Sequence, residues 1–155
     1  MGSIALKVDV DTLRGTLEGV PRLQKELSRL GVPVTFLFSL GPDHTGWALK
    51  RIFRPGFFKK VSRTSVVEHY GLKTLSYGVL LPAPDIGIKA RATMQGVAKD
   101  GFEVGIHTWD HIVWHDHARD ANALWTHQQM LKAYERFSDI FGHAPMTHGA
   151  AGWQM

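Results

Sequence analysis

The N-terminal part of the chain contains the pattern that most limits what it can fold into. A short aliphatic run, "IALKVDV" (4–10), stops at acids, and residues 18–30, "EGVPRLQKELSRL", then place Val20, Leu23, Leu27 and Leu30 on one helical face. Gly31 follows, and a second apolar run, "VPVTFLFS" (32–39), comes at once. The aliphatic runs read as buried strands, the i, i+3, i+4 spacing reads as an amphipathic helix, and the glycine is a stop signal. A helix between two strands carries the chain back to its starting end, so the strands are expected to pair in parallel. Further on, residues 89–99 and 124–141 read as helices, the second with Leu124, Met130, Leu131, Tyr134, Phe137 and Phe141 as apolar positions. Residues 102–106 read as a third strand and 144–147 as a short last one. Strands and helices alternate without internal repeats, which is the α/β class, with chemistry expected at the carboxyl ends of the strands.

Composition narrows what that chemistry can use. A chain of 155 residues, 44% hydrophobic and 21% charged, suits one compact domain, here taken as 1–155. With no cysteine, disulfides and thiolate metal sites are excluded, and a metal must be held by imidazole and carboxylate. No run approaches the roughly 20 apolar residues that span a bilayer, and the N-terminus does not read as a secretory signal. The net charge of +4 is unevenly placed: Lys50 to Arg63, "KRIFRPGFFKKVSR", carries six Lys or Arg and no acid, interleaved with Ile52, Phe53, Phe57, Phe58 and Val61. Basic and aromatic residues together suit an anionic lipid surface or a phosphate. The alternative is a solvated basic helix whose phenylalanines turn into the core. No nucleic-acid-binding module is legible. The surrounding region, 41–88, is read as an insertion between core units.

Two short motifs follow strand-like runs. In "VDVDT", Asp9 and Asp11 are separated by one residue, so both project from one side of the first strand. In "GIHTWDH", His107 and His111 leave the third strand four residues apart. If the strands are parallel, all four groups meet at one mouth of the sheet. Two close carboxylates repel, and a dication relieves them. Two imidazoles and one carboxylate leave open coordination positions, which marks a catalytic rather than a structural metal; zinc fits first, then cobalt, nickel, manganese or iron. Such a site activates water and polarises a carbonyl, and the remaining carboxylate accepts the water's proton, which is amide hydrolysis. The bland reading makes the aspartates loop caps and the histidines ordinary packing residues. His115 and His117, in "WHDH", are expected behind the ligands or on the surface, and His44, His69, His127, His143 and His148 show no partner.

The Asp-x-Asp at a first-strand end and the His-Thr-x-x-His after a later strand resemble the first two motifs of the polysaccharide deacetylase (NodB-homology) family. The stretches "VDVDTLRGT", "EGVPRL", "FSLGPD", "EVGIHTWDH" and "AAGW" are similar, in order, to its deformylase branch, which acts on 4-deoxy-4-formamido-L-arabinose-phosphoundecaprenol. The resemblance runs from residue 4 to 155. It implies a distorted (β/α) barrel, with Asp9 as the base and Asp11, His107 and His111 holding one divalent metal. It also implies removal of a formyl group from an aminosugar on a polyprenyl phosphate, at the cytoplasmic face of the bacterial inner membrane. That step belongs to lipid A modification and resistance to cationic peptides such as polymyxin. Trp47, Lys59, Lys60 and Arg63 would then face an anionic membrane surface.

Two departures accompany the resemblance. The family's third motif has an Arg-x-Pro-aromatic sequence, whereas this chain reads "HGAAGWQM", so the arginine that usually partners the base is missing, and a backbone N–H near Gly152 or Trp153 is the candidate oxyanion donor. The chain also stops at Met155, before the later motifs that supply the general acid and close the barrel. The expectation is an incomplete barrel, truncated on its C-terminal side or completed by a partner segment. Two rivals remain: an N-deacetylase of a polysaccharide or peptidoglycan amino sugar, and a non-catalytic metal- or lipid-binding fragment.

Overall fold

The structure, a computed structural model, describes residues 4–48 and 71–154. Three parallel strands, β1 (Lys7–Val10), β2 (Thr35–Ser39) and β3 (Glu103–Thr108), form one sheet in the order β1-β2-β3. A π turn over Gly15–Gly19 leads from β1 into α1 (Val20–Leu30). Pro21 stands in the first turn of α1, where a missing N–H costs nothing, and Gly31 closes the helix at φ 63° with its N–H on the Leu27 and Ser28 carbonyls. After β2 come α2 (Leu72–Ser76), α3 (Ile86–Lys89), α4 (Arg91–Lys99), α5 (His111–His117) and α6 (Ala123–Phe141).

The period of two along each strand divides the sheet into two unlike faces. Val8 and Val10, Phe36 and Phe38, and Val104 and Ile106 point to one side, where Val20 of α1, Met94 and Val97 of α4, and Ala133, Phe137 and Ile140 of α6 meet them. Phe36, Phe38 and Phe137 are fully buried there, each contributing roughly 1.5–3 kcal/mol by removal from water. The opposite face carries Lys7, Asp9, Thr35, Leu37, Glu103, Gly105 and His107. Its polarity marks it as the working face.

The expected parallel strand-helix-strand unit and the third strand are present, and differences lie in detail. Leu23 and Leu30 of α1 and Leu124, Leu131 and Tyr134 of α6 are exposed, so each helix buries a narrower stripe than its apolar pattern suggests. No strand forms over 144–147. One parallel bridge, Ile106 to His148, stands in its place, with Ile106 N–H on Thr147 O (2.9 Å) and Gly149 N–H on Ile106 O (3.0 Å). Gly105 permits this approach, because a Cβ there would lie 2.5 Å from the Thr147 carbonyl oxygen. The region 41–88 is described only at its two ends, which are clipped together: Asp43 N–H donates to Pro84 O (2.9 Å) and Ile86 N–H to Gly41 O (2.9 Å). Lys59, Lys60, Arg63 and His69 lie outside the described residues.

Candidate metal and catalytic site

Asp11 follows the last residue of β1, His107 lies near the end of β3, and His111 opens α5. Parallel pairing brings the carboxyl ends of all three strands to one mouth. A register irregularity assists: Phe38 pairs with Ile106, but Ser39 pairs with Thr108, so His107 is the extra residue of a bulge, and bulges re-aim side chains beside functional sites. One donor atom each from Asp11, His107 and His111 lies within 4.8 Å of the others. His107 Nε2 is 3.2 Å from Asp11 Oδ1, and His111 Nε2 is 3.7 Å from Asp11 Oδ2. The two imidazoles stack with centroids 5.5 Å apart.

The donor set fits a divalent cation. His107 is buried, and its Nδ1 lies 2.6 Å from the Gly149 carbonyl oxygen, which has only acceptor capacity and therefore fixes the proton on Nδ1. In neutral His107, Nε2 then offers a lone pair toward Asp11 Oδ1, a buried oxygen without a hydrogen-bond partner. Two acceptors facing each other at 3.2 Å favour a cation between them. Burial pushes the Asp11 carboxyl up, but the hydrogen bond that protonated His107 can donate, with the charges of His111, His107 and Lys7, brings it below the usual range. Ser39 Oγ and Thr108 Oγ1, at the ends of β2 and β3, are likewise buried without partners.

Asp9 stands beside this set. Its Oδ1 is 3.9 Å from His107 Nδ1, and both its oxygens are held by Lys7 Nζ, at 2.6 and 2.5 Å. The turn Ala151–Trp153 lies against His115: Gly152 has φ 63°, Trp153 has φ 57°, and a Cβ on Gly152 would stand 3.0 Å from the His115 ring. The Trp153 N–H is engaged with the Ala150 carbonyl at 3.3 Å, so of the two oxyanion candidates Trp153 already has a partner. Its ring is exposed, with Lys7 Nζ 4.9 Å from the centroid. Trp47 is half-buried, stacked on His44 at 3.9 Å with its indole N–H on Gly78 O at 2.7 Å.

Three supporting residues, Asp43, Asp110 and His44, are not singled out by the sequence motifs. Asp43, 2% exposed, accepts from Leu13 N–H (2.8 Å), Thr45 N–H (3.1 Å) and Thr45 Oγ1 (2.6 Å), fixing the turn that follows Asp11. Burial, and secondarily the Asp110 charge, push its carboxyl up against those hydrogen bonds. Asp110 caps α5 through Val113 N–H (3.1 Å) and holds His44 Nδ1 at 2.5 Å. The aspartate just before "HIVW" is a readable cap signal. The His44 partnership, across 66 residues, is not.

With the geometry in place, comparison with known proteins gives its family setting. No family model matches the chain. A crystal structure described as a putative polysaccharide deacetylase from Mycobacterium smegmatis superposes with a TM-score of 0.60 at 17% identity, over 97% of this chain and 43% of that one. The chain therefore has a NodB-type α/β fold, that of the polysaccharide deacetylase it superposes on. At the level of sequence the chain is similar to proteins described as probable 4-deoxy-4-formamido-L-arabinose-phosphoundecaprenol deformylase ArnD. The Shewanella sediminis protein is 34% identical over 151 residues, covering 97% of this chain and 50% of that protein. The Wigglesworthia glossinidia brevipalpis protein is 35% identical over 100 residues, covering 64% of this chain and 35% of that protein. The chain thus spans half the length of the first of these curated relatives, and less of the second.

Proposed function

We propose that this chain carries the metal-binding and proton-accepting part of a hydrolase that removes the formyl group from 4-deoxy-4-formamido-L-arabinose-phosphoundecaprenol. The observation that supports it most is the convergence of Asp11, His107 and His111 within 4.8 Å beside the unligating carboxylate of Asp9. Asp11, His107 and His111 would hold one divalent ion, zinc by the hardness of the donors. Bound there, the ion supplies Lewis acidity toward the formyl oxygen and the attacking water. Asp9 takes a proton from the water as its oxygen bonds to the formyl carbon. The C–N bond then breaks, the nitrogen takes up a proton, and formate and the free amine result. Gly152, in the turn beside the His115 ring, would offer a backbone N–H to the oxyanion.

The basic and aromatic sequence from Lys50 to Arg63, with Trp47 before it, suits contact with an anionic membrane surface that presents a polyprenyl-linked substrate. Among the described residues no helix is long and apolar enough to cross a membrane. Replacing Lys59, Lys60 and Arg63 by Glu should abolish sedimentation with anionic liposomes, and unchanged sedimentation would remove the membrane role.

The activity test is release of formate from the formamido sugar lipid, compared with its N-acetyl analogue. Asp9→Asn should keep the metal and lose turnover, and Asp11→Asn should lose both. Acetate release alone would move the assignment to an amino-sugar N-deacetylase. Metal binding without either product would make the chain a binding fragment.

A further inference from the structure

Alternate residues of a strand share a face, so Lys7, Asp9 and Asp11 stand in one row along β1 and beyond its end. Within that row the two carboxylates have different neighbours. Both oxygens of Asp9 are taken by Lys7 Nζ, at 2.6 and 2.5 Å, with the two side chains 36% and 35% exposed. Asp11 instead faces Nε2 of both His107 and His111. The Lys7 ammonium also lies 4.9 Å from the Trp153 ring centroid and 3.9 Å from where a Cβ on Gly149 would stand. Gly149 is the residue whose carbonyl orients His107.

Two neighbouring carboxylates attract the same dication, and a carboxylate captured by a metal is a poor proton acceptor. We propose that Lys7 is a positioning residue that sorts the two: by occupying both oxygens of Asp9 it keeps that carboxylate out of the coordination of a divalent cation and reserves Asp11 as the single carboxylate ligand. This rests on the metal site proposed above and adds the residue that decides which aspartate ligates. It also gives the base a cationic partner in a chain whose third motif, "HGAAGWQM", has no arginine.

A double-mutant cycle on zinc affinity tests it without recourse to turnover. Zinc is titrated against a competing chelator into the 155-residue chain, Asp9→Asn, Lys7→Met and the double variant, with circular dichroism as the check on folding. Asp9→Asn should change zinc affinity by less than about threefold with Lys7 present and weaken it by about tenfold or more in the Lys7→Met background, where Asp9 is free to ligate. Lys7→Arg, which keeps the cation, should restore the first pattern. Equal effects of Asp9→Asn in both backgrounds would overturn the inference while leaving the metal site standing. Lys7→Gln, run in parallel, decides the same question if Lys7→Met fails to fold. Absence of zinc binding by the unsubstituted chain is a different result, which overturns the metal site and the sorting role together.

Discussion

His107 Nε2 stands 3.2 Å from Asp11 Oδ1, while Nδ1 of the same ring is anchored on the Gly149 carbonyl. One backbone oxygen thus turns the imidazole so that its second nitrogen looks at a carboxylate, with His111 completing the triangle. The pair is poised for a cation because both facing atoms are acceptors when the ring is neutral.

The first prediction follows directly. Purified protein should bind one zinc ion per chain, and His107→Ala, His111→Ala or Asp11→Asn should each abolish stoichiometric binding as read by elemental analysis after dialysis. Three ligands leave little redundancy, so loss of any one is expected to be close to loss of all. Retention of stoichiometric zinc by two of these variants would place the metal elsewhere.

The parts of this site that are legible in sequence are those carried by short spacing. Asp-x-Asp and His-x-x-x-His each span only a few residues, so the chain itself brings the groups together. The row Lys7-x-Asp9-x-Asp11 has the same legibility, yet a lysine ahead of acids reads as ordinary strand-edge charge until its ammonium is seen on both Asp9 oxygens. Asp43 and Asp110 meet their partners through tertiary packing, and Gly149 contributes a carbonyl, which no side-chain pattern records. For the helices, periodicity names a face without saying how much of it is covered, which is why Leu124, Leu131 and Tyr134 of α6 are exposed beside the buried Phe137.

Asp43 should be the most stability-sensitive of the polar residues behind the site. Asp43→Ala leaves the Leu13 and Thr45 N–H groups without their acceptor, and should cost about 2–4 kcal/mol in urea denaturation. Asp43→Asn keeps one acceptor oxygen and removes a buried charge, so its loss should be smaller. An Asp43→Ala protein as stable as the parent would show that the turn after Asp11 needs no such anchor.

Glu103 ties β2 and β3 to the segment at Thr147, since both Thr35 Oγ1 and Thr147 Oγ1 donate to its carboxylate. Those hydrogen bonds, Thr147 first and Thr35 next, hold the carboxyl below its usual range. A depressed folded-state value means that stabilisation is present above the unfolded carboxyl's pKa and is lost as the pH falls through the folded one. Glu103 is exposed to solvent, so the effect is limited to about 1 kcal/mol or less. Thermal denaturation across the acid range should show a shallower fall in Tm for Glu103→Gln than for the parent, and parallel curves would sever this link.

His44 gives the last prediction, because it reaches the proposed metal site through another residue. Its Nδ1 holds Asp110 Oδ2 at 2.5 Å, the other Asp110 oxygen caps α5 at Val113, and α5 begins with the proposed ligand His111. The Trp47 ring, stacked on His44 at 3.9 Å, fixes the imidazole from behind. Removing the imidazole frees Asp110 to turn away from the cap, which loosens the first turn of α5 without touching a ligand. His44→Ala should therefore weaken zinc binding by about 10–100-fold while circular dichroism stays unchanged. His44→Asn, whose amide can still donate to Asp110, should recover most of the affinity. An unchanged zinc affinity in His44→Ala would mean that packing of Ile112 and Trp114, both buried, is enough to hold His111 in place.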